Sequence, residues 1–100
     1  MAIIPSDNIL DRMESILNIA SDFTRLKILY SIYGEEKAVG QIAEETGASQ
    51  SLVSHQLSVL KKAHLVSSVR HGHHIYYRLN DEHVEQLLQI TYEHVNEEQQ

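Results

Sequence analysis

Two histidines in the last quarter of the chain, His83 and His94, have a spacing that allows metal binding. They are eleven residues apart, which in an α-helix is about three turns plus 20°, so they share a face but stand roughly 16 Å apart along the axis. One chain alone therefore cannot place both imidazoles on one ion. If two copies of the helix pack antiparallel across a two-fold axis, His83 of each copy meets His94 of the other, which gives two sites per dimer at the subunit interface.

Two carboxylates fit the same antiparallel arrangement. Glu97 lies one turn beyond His94, and Asp81 comes just before His83. Two imidazoles and two carboxylates form a four-coordinate set that suits Zn²⁺, with Co²⁺ as a substitute. This interpretation requires Asp81 to lie in the non-helical cap. Asp81 is two residues before His83, and in a regular helix two residues with that spacing point away from each other. Glu98 is an alternative to Glu97, and the pattern taken alone also fits two unrelated surface histidines on an acidic, solvated helix.

The helix that must hold these residues is predicted over 81–97, where it serves dimerisation and metal binding. We expect Asn80 to cap it. Its apolar stripe suits packing against another helix and consists of Val84, Leu87, Leu88, Thr91 and Val95. A helix beginning at Asp7 has a stripe too wide for one neighbour, which indicates a second dimer contact. That stripe contains Ile9, Leu10, Met13, Ile16, Leu17 and Ala20.

Residues 41–63 are predicted to form a helix-turn-helix. The first helix is short, with Ile42 and Ala43 facing inward, and Gly47 makes the turn in the left-handed conformation. The second helix has an apolar face made of Leu52, Val53, Gln56, Leu57 and Leu60. Its other side has short hydrogen-bonding groups that suit base edges and phosphates, namely the capping Ser49 with Gln50, Ser51, Ser54 and His55. The alternative is an ordinary solvated helix in a small helical domain.

Charge is distributed unevenly along the chain. The net charge is −6, yet no Asp or Glu occurs between Thr46 and Asn80. The basic residues of that segment are Lys61, Lys62, Arg70 and Arg78, and five of the seven histidines lie there as well. Because phosphate contacts depend on the local patch rather than on the total charge, this segment is suited to face DNA.

Residues 65–79 contain two β-branched and aromatic runs joined around 71–73, which predicts a β-hairpin. We expect Arg70 and Arg78 to contact phosphate. In an extended hairpin His71 and His73 would share a face while His74 turns away. We interpret His71 and His73 as DNA contacts rather than metal ligands, since the tip offers no partner to orient the rings.

A helix capped by Asp22 is predicted between the first helix and the helix-turn-helix, ending at Gly34. The side chains expected in the core are Phe23, Leu26, Ile28, Leu29 and Ile32. One hundred residues fit a single domain, 1–100, with a modest core, so dimerisation is an expected source of stability.

Some classes of function are disfavoured. Without cysteine the chain has no thiolate metal site or disulfide. We recognise no nucleophile motif or phosphate-binding glycine loop, and therefore expect neither an enzyme nor a small-molecule substrate. With no recognisable signal peptide or long apolar run, we expect a cytoplasmic protein without a membrane partner. A protein-binding helical domain remains an alternative, but it would not explain why the basic segment between Thr46 and Asn80 has no carboxylates.

The run SQSLVSHQLSVLKKAHLVSSVRHGHHIYYRL resembles the recognition helix and wing of the ArsR/SmtB family of bacterial metal-responsive repressors, with a departure at Gln56. The segment DFTRLKIL resembles the family's D-x-x-R-x-x-I-L scaffold helix, in which we interpret Arg25 as a surface or intersubunit ion pair. The resemblance implies a mainly α winged helix-turn-helix, in the order α-α-α-α-β-β-α, that dimerises through its first and last helices.

The family resemblance extends to the metal site. The spacing D-x-H, ten residues, H-x-x-[HE] is similar to the C-terminal helix site of zinc-sensing members, at Asp81, His83, His94 and Glu97. It implies a metal-free homodimer that binds an inverted-repeat operator and is released by zinc, which derepresses metal efflux or resistance genes. The alternative is a repressor of the same kind with a non-metal inducer or none.

Overall fold

The computed structural model describes residues 2–98, which form helices on either side of one β-hairpin. The elements are α1 (Asp7–Ala20), α2 (Phe23–Ser31), α3 (Val39–Thr46), α4 (Gln50–Lys62), β1 (Val66–His71), β2 (His74–Leu79) and α5 (Glu82–Glu98). This order confirms the predicted winged helix-turn-helix, in which α3 and α4 form the helix-turn-helix and β1 and β2 form the wing.

The core lies where α2, α3, α4 and the base of the hairpin meet. Its most deeply buried side chains are Ile28, Leu29, Ile32, Ile42, Val53, Leu57, Leu60 and Val66. Three of these belong to α4, so one face of that helix is packed against α2, α3 and the hairpin while the opposite face stays exposed.

Local backbone signals set the start and turn of the helix-turn-helix. Gly47 ends α3 in the left-handed conformation at φ +76°, and its N–H donates to Ala43 O at 2.9 Å. The Ser49 hydroxyl then accepts the N–H of Leu52 at 3.1 Å and caps α4. Both predictions for this turn are confirmed.

Two predicted core positions are wrong. Phe23 is 75% exposed and Leu52 is 41% exposed. Phe23 is five residues before Ile28, which puts it about 140° around α2 from the buried side. The Phe23 ring instead lies under the Lys27 ammonium, 5.5 Å from Nζ to the ring centroid. Leu52 precedes the buried Val53 by one residue and points about 100° away from it.

The helices at the two ends of the fold leave apolar surface uncovered. In α1, Ala20 is buried, but the exposed apolar side chains are Ile9, Leu10, Met13, Ile16 and Leu17. In α5, Val84 and Leu88 are buried, whereas Leu87, Ile90 and Val95 are exposed. Within residues 2–98, no helix combines the length and apolarity that a membrane span needs.

Candidate DNA interface and metal site

The outer face of α4 is polar and accessible. Gln50, Ser51, Ser54 and His55 are exposed, as predicted for a face that meets DNA. Ser49 is exposed too, but its hydroxyl already accepts a backbone N–H, so it sets the start of the helix. Because the other face is buried in the core, α4 presents these side chains on a rigid support.

The wing is a tight antiparallel hairpin. Its register runs from Val66 opposite Leu79 to His71 opposite His74, with Gly72 at φ +65° in the turn. Arg70 lies opposite Ile75, and Arg78 lies opposite Ser67. Since side chains alternate along a strand and cross-strand partners share a face, the two arginines point to opposite faces of the hairpin.

The prediction that His71 and His73 share a face is wrong. The turn takes His73 out of the strand, and the residue that faces His71 across the hairpin is His74. His71 Nε2 also lies 2.8 Å from Glu36 Oε1, in the loop before α3. An approaching phosphate must therefore compete with a carboxylate for His71, a contact that no pattern near Glu36 indicated.

Two further contacts hold the wing against the helix-turn-helix. Lys61 Nζ, at the end of α4, donates to Ser68 Oγ at 2.7 Å, while Lys62 is exposed. The backbones of Lys37 and Tyr77 exchange hydrogen bonds of 3.0 and 2.8 Å. The wing and α4 are thus presented together as one surface.

Arg25 connects α1 to the recognition helix. Its Nε donates to the carbonyl of Ile19 at 2.7 Å, and its Nη1 donates to Gln56 Oε1 on α4 at 2.9 Å. Among residues 2–98 its partners are a carbonyl and an amide of its own chain, so the interpretation of Arg25 as a surface ion pair is wrong, while an intersubunit ion pair stays a prediction. The signal that sequence reasoning missed was Gln56 itself, an amide on an otherwise apolar helix face.

The start of α5 differs from the prediction by one residue. The helix is capped by Asp81 and not by Asn80, since Asp81 Oδ1 accepts the N–H of Val84 at 3.2 Å. Asp81 thus lies before the helix, with its Oδ1 3.8 Å from His83 Nδ1. The Asn80 amide and the Val84 N–H hold the pKa of Asp81 below its ordinary value.

The other proposed ligands, His94 and Glu97, are exposed toward the far end of α5. The alternative ligand Glu98 has a side chain outside the described part of the structure. Among residues 2–98, no three His, Asp or Glu side chains of one chain come together as a possible metal site. Donors from a second chain would be needed to complete a site here, and the imidazole and carboxylate donors present suit Zn²⁺ in charge and softness.

Residues 22–68, which include α2, the helix-turn-helix and the start of the wing, match the family described as bacterial regulatory protein, arsR family. The cadmium resistance transcriptional regulatory protein CadC homolog of Staphylococcus aureus is 35% identical over 83 residues, or 82% of this chain and 69% of that protein. The chain belongs to the ArsR family.

Two other members illustrate how far the similarity extends. The HTH-type transcriptional regulator KmtR of Mycobacterium tuberculosis is 36% identical over 85% of this chain, which spans 65% of that protein's length. The homodimeric winged helix-turn-helix DNA-binding domain of a possible ArsR-family regulator from Mycobacterium bovis superposes with a TM-score of 0.86 at 30% identity. That match covers 97% of this chain and 93% of the other. These ArsR-family relatives are transcriptional regulators and not enzymes.

Proposed function

We propose that this ArsR-family chain is a homodimeric transcriptional repressor that binds operator DNA when metal-free and is released by Zn²⁺ bound between its two α5 helices. The regulated genes would serve metal efflux or resistance. The observation that supports DNA binding most directly is the exposed face of α4, which has serine, glutamine and histidine side chains and lies in a segment without carboxylates.

On DNA, α4 would enter the major groove of one half-site and the wing would lie against the backbone. Side chains of α4 in contact with bases or phosphates would be Gln50, Ser51, Ser54 and His55, with Ser49 at the helix start. The phosphate contacts would come from Lys61 and Lys62, and from His71 and His73 at the wing tip. Arg70 and Arg78, on opposite faces of the hairpin, would contact phosphates on the two sides of the groove that the wing edge follows. Two copies related by a two-fold axis would then fit an inverted repeat.

The exposure pattern of α5 supports the antiparallel pairing. In the register that places His83 beside the partner's His94, Leu87 lies opposite the partner's Ile90. These two side chains are 36% and 63% exposed in the single chain, although both are apolar. One register therefore covers exposed apolar surface and brings the histidines together.

Each zinc site would combine Asp81 and His83 of one chain with His94 and Glu97 of the other. The cadmium resistance regulator among the relatives supports a metal effector, but this chain has no thiolate for a soft ion. A nitrogen and oxygen donor set instead favours Zn²⁺, with Co²⁺ as a substitute.

Release of DNA requires that zinc bind one quaternary arrangement of the dimer more tightly than the arrangement that binds DNA. Zinc bridging the α5 helices would favour a quaternary arrangement in which the two α4 helices no longer match the half-site spacing. The coupling is reciprocal, so operator DNA lowers the affinity for zinc by the same factor. A zinc ion that bound both arrangements equally would switch nothing.

A complementation experiment tests the division of the site between chains. His83→Ala and His94→Ala dimers should each lose both sites. When the two variants are mixed and refolded together, each heterodimer regains one site, formed by His94 of one chain and His83 of the other. Isothermal titration should then find tight zinc binding in the mixture but in neither variant alone. No recovery, with heterodimers verified by mass spectrometry, would contradict a shared site and favour a repressor with another inducer or none.

A further inference from the structure

A small aromatic cavity lies between the end of α2 and the middle of α5. It is lined by Tyr30, Tyr33, Gln89, Tyr92 and Glu93 and has a volume of about 330 Å³. Ligand pockets have volumes of roughly 300–1,000 Å³, so this cavity suits a small molecule. Neither DNA binding nor the proposed zinc site involves these residues.

The three tyrosines form a continuous aromatic surface. The ring centroids of Tyr30 and Tyr33 are 6.4 Å apart with an interplanar angle of 23°, and those of Tyr30 and Tyr92 are 6.4 Å apart at 51°. The Tyr30 hydroxyl donates to Leu88 O at 2.6 Å, which fixes the central ring against α5. These three residues are nevertheless 38%, 39% and 63% exposed, so a ligand can reach the aromatic surface.

The electrostatics of the cavity favour a cation. Glu93 places a carboxylate at its edge, where the Gln89 amide donates to Glu93 Oε1 at 3.0 Å. Among the residues that the structure describes, no basic side chain lines the cavity, and α5 contains glutamates but no lysine or arginine. Burial and the neighbouring phenols raise the pKa of Tyr30 further above its ordinary value, which already lies well above physiological pH. Neutral aromatic faces attract cations through their quadrupole.

We propose that this cavity binds a small methylated ammonium ion, whose charge meets the carboxylate of Glu93 while its methyl groups contact the tyrosine faces. Recognition of quaternary ammonium by several aromatic rings uses the same physical interaction. The proposal does not depend on the zinc site.

A second copy of the chain is the less favoured occupant. Tyr92 is two residues from both Ile90 and His94, which places it about 160° around α5 from the proposed dimer face. The antiparallel α5 pairing would therefore leave the Tyr92 ring accessible.

Choline and its uncharged isostere 3,3-dimethyl-1-butanol provide a matched pair of probes. The chain has no tryptophan, and three of its five tyrosines line the cavity, so tyrosine fluorescence reports on the site directly. At constant ionic strength, choline should change the fluorescence saturably, whereas the neutral analogue should bind about tenfold more weakly or not at all. Equal responses would show an apolar groove without charge recognition, and no response to choline would mean no site; either result overturns the proposal.

Variants locate the binding. Tyr92→Leu and Glu93→Gln should each weaken choline binding severalfold, while Tyr76→Leu, on the wing, should leave it unchanged. Glu93→Gln removes the charge but preserves size and polarity, so it tests whether choline binds in the cavity even if Tyr92→Leu fails to fold. Unchanged affinity in Glu93→Gln, or a dimer that dissociates when Tyr92 is replaced, would overturn the proposal and make this face apolar surface or an interface between copies.

Discussion

The carboxylate of Asp81 begins α5 and lies beside His83, so helix capping and proposed metal binding fall on one side chain. The sequence indicated that Asp81 had to lie outside the helix to be a ligand, but it favoured Asn80 as the cap. Both residues have good capping side chains, and propensity alone does not choose between neighbours. In the structure Asp81 is the cap, because its Oδ1 accepts the Val84 N–H. Asn80 instead donates its side-chain amide to Asp81 Oδ2 at 3.1 Å.

Two substitutions at Asp81 separate its roles. Asp81→Ala should destabilise the protein by about 1 kcal/mol, because the cap is lost, and should weaken zinc binding. Asp81→Asn keeps a capping oxygen, so it should retain most of the stability while still losing zinc affinity. Urea unfolding and zinc titration of both variants measure the two effects. Equal zinc affinity in Asp81→Asn and the wild type would exclude the carboxylate as a ligand.

The lowered pKa of Asp81 also has a predictable sign in stability. A carboxylate with a depressed folded pKa contributes stability above its unfolded pKa and loses that contribution as the pH falls through the folded value. Thermal unfolding between neutral and strongly acidic pH should therefore show a smaller acid-induced loss for Asp81→Asn than for the wild type. An identical loss in both proteins would show that the ionised cap adds nothing.

Among the elements, the turn between α3 and α4 was predictable and the support of α4 was not. Gly47 and Ser49 are local signals, since a left-handed residue and a capping hydroxyl act within one turn of the backbone. The Arg25–Gln56 contact joins residues 31 apart in sequence and depends on how α1, α2 and α4 pack. The prediction that Phe23 lies in the core failed for a related reason. The spacing of apolar residues shows which residues share a helix face, but it does not show whether another element covers that face.

The Arg25–Gln56 hydrogen bond should stabilise the position of α4. We expect Arg25→Met to cost about 1.5–3 kcal/mol, because the Ile19 carbonyl and the Gln56 amide oxygen lose a charged donor. The double variant with Gln56→Met should be more stable than the sum of the single effects predicts, by about 0.5 kcal/mol or more. Urea unfolding of the four proteins gives this coupling energy. Strict additivity would mean that the two side chains act independently.

At the scale of the whole molecule, the exposed apolar faces of α1 and α5 are the feature that a single chain leaves unexplained. The sequence predicted their stripes and, through the histidine spacing, a register between two chains. It did not show how much of each stripe stays uncovered, because that depends on the packing of α2 and the wing. The structure leaves Leu87 and Ile90 exposed on the side of α5 that faces the proposed partner.

Ile90→Glu should convert the dimer to a monomer at micromolar concentration, since it puts a charge into an apolar contact that repeats by symmetry. Gln89→Glu makes a similar change of charge one residue away, about 100° around the helix, and should leave the dimer intact. Sedimentation equilibrium distinguishes the two outcomes. A monomer in both variants would indicate a general effect of charge on α5, and a dimer in both would place the interface elsewhere.

Zinc titration into the protein bound to a fluorescent operator fragment, followed by anisotropy at fixed salt, measures whether zinc releases the repressor from DNA. His94→Ala is the matched control, because it removes a proposed ligand that is not among the proposed DNA contacts. We predict that zinc at or below micromolar concentration releases DNA from the wild type, whereas the His94→Ala protein binds the same DNA and keeps it. DNA that stays bound through zinc saturation of the wild type would show that zinc is not the inducer, and DNA that zinc also releases from His94→Ala would show that the α5 site does not control release.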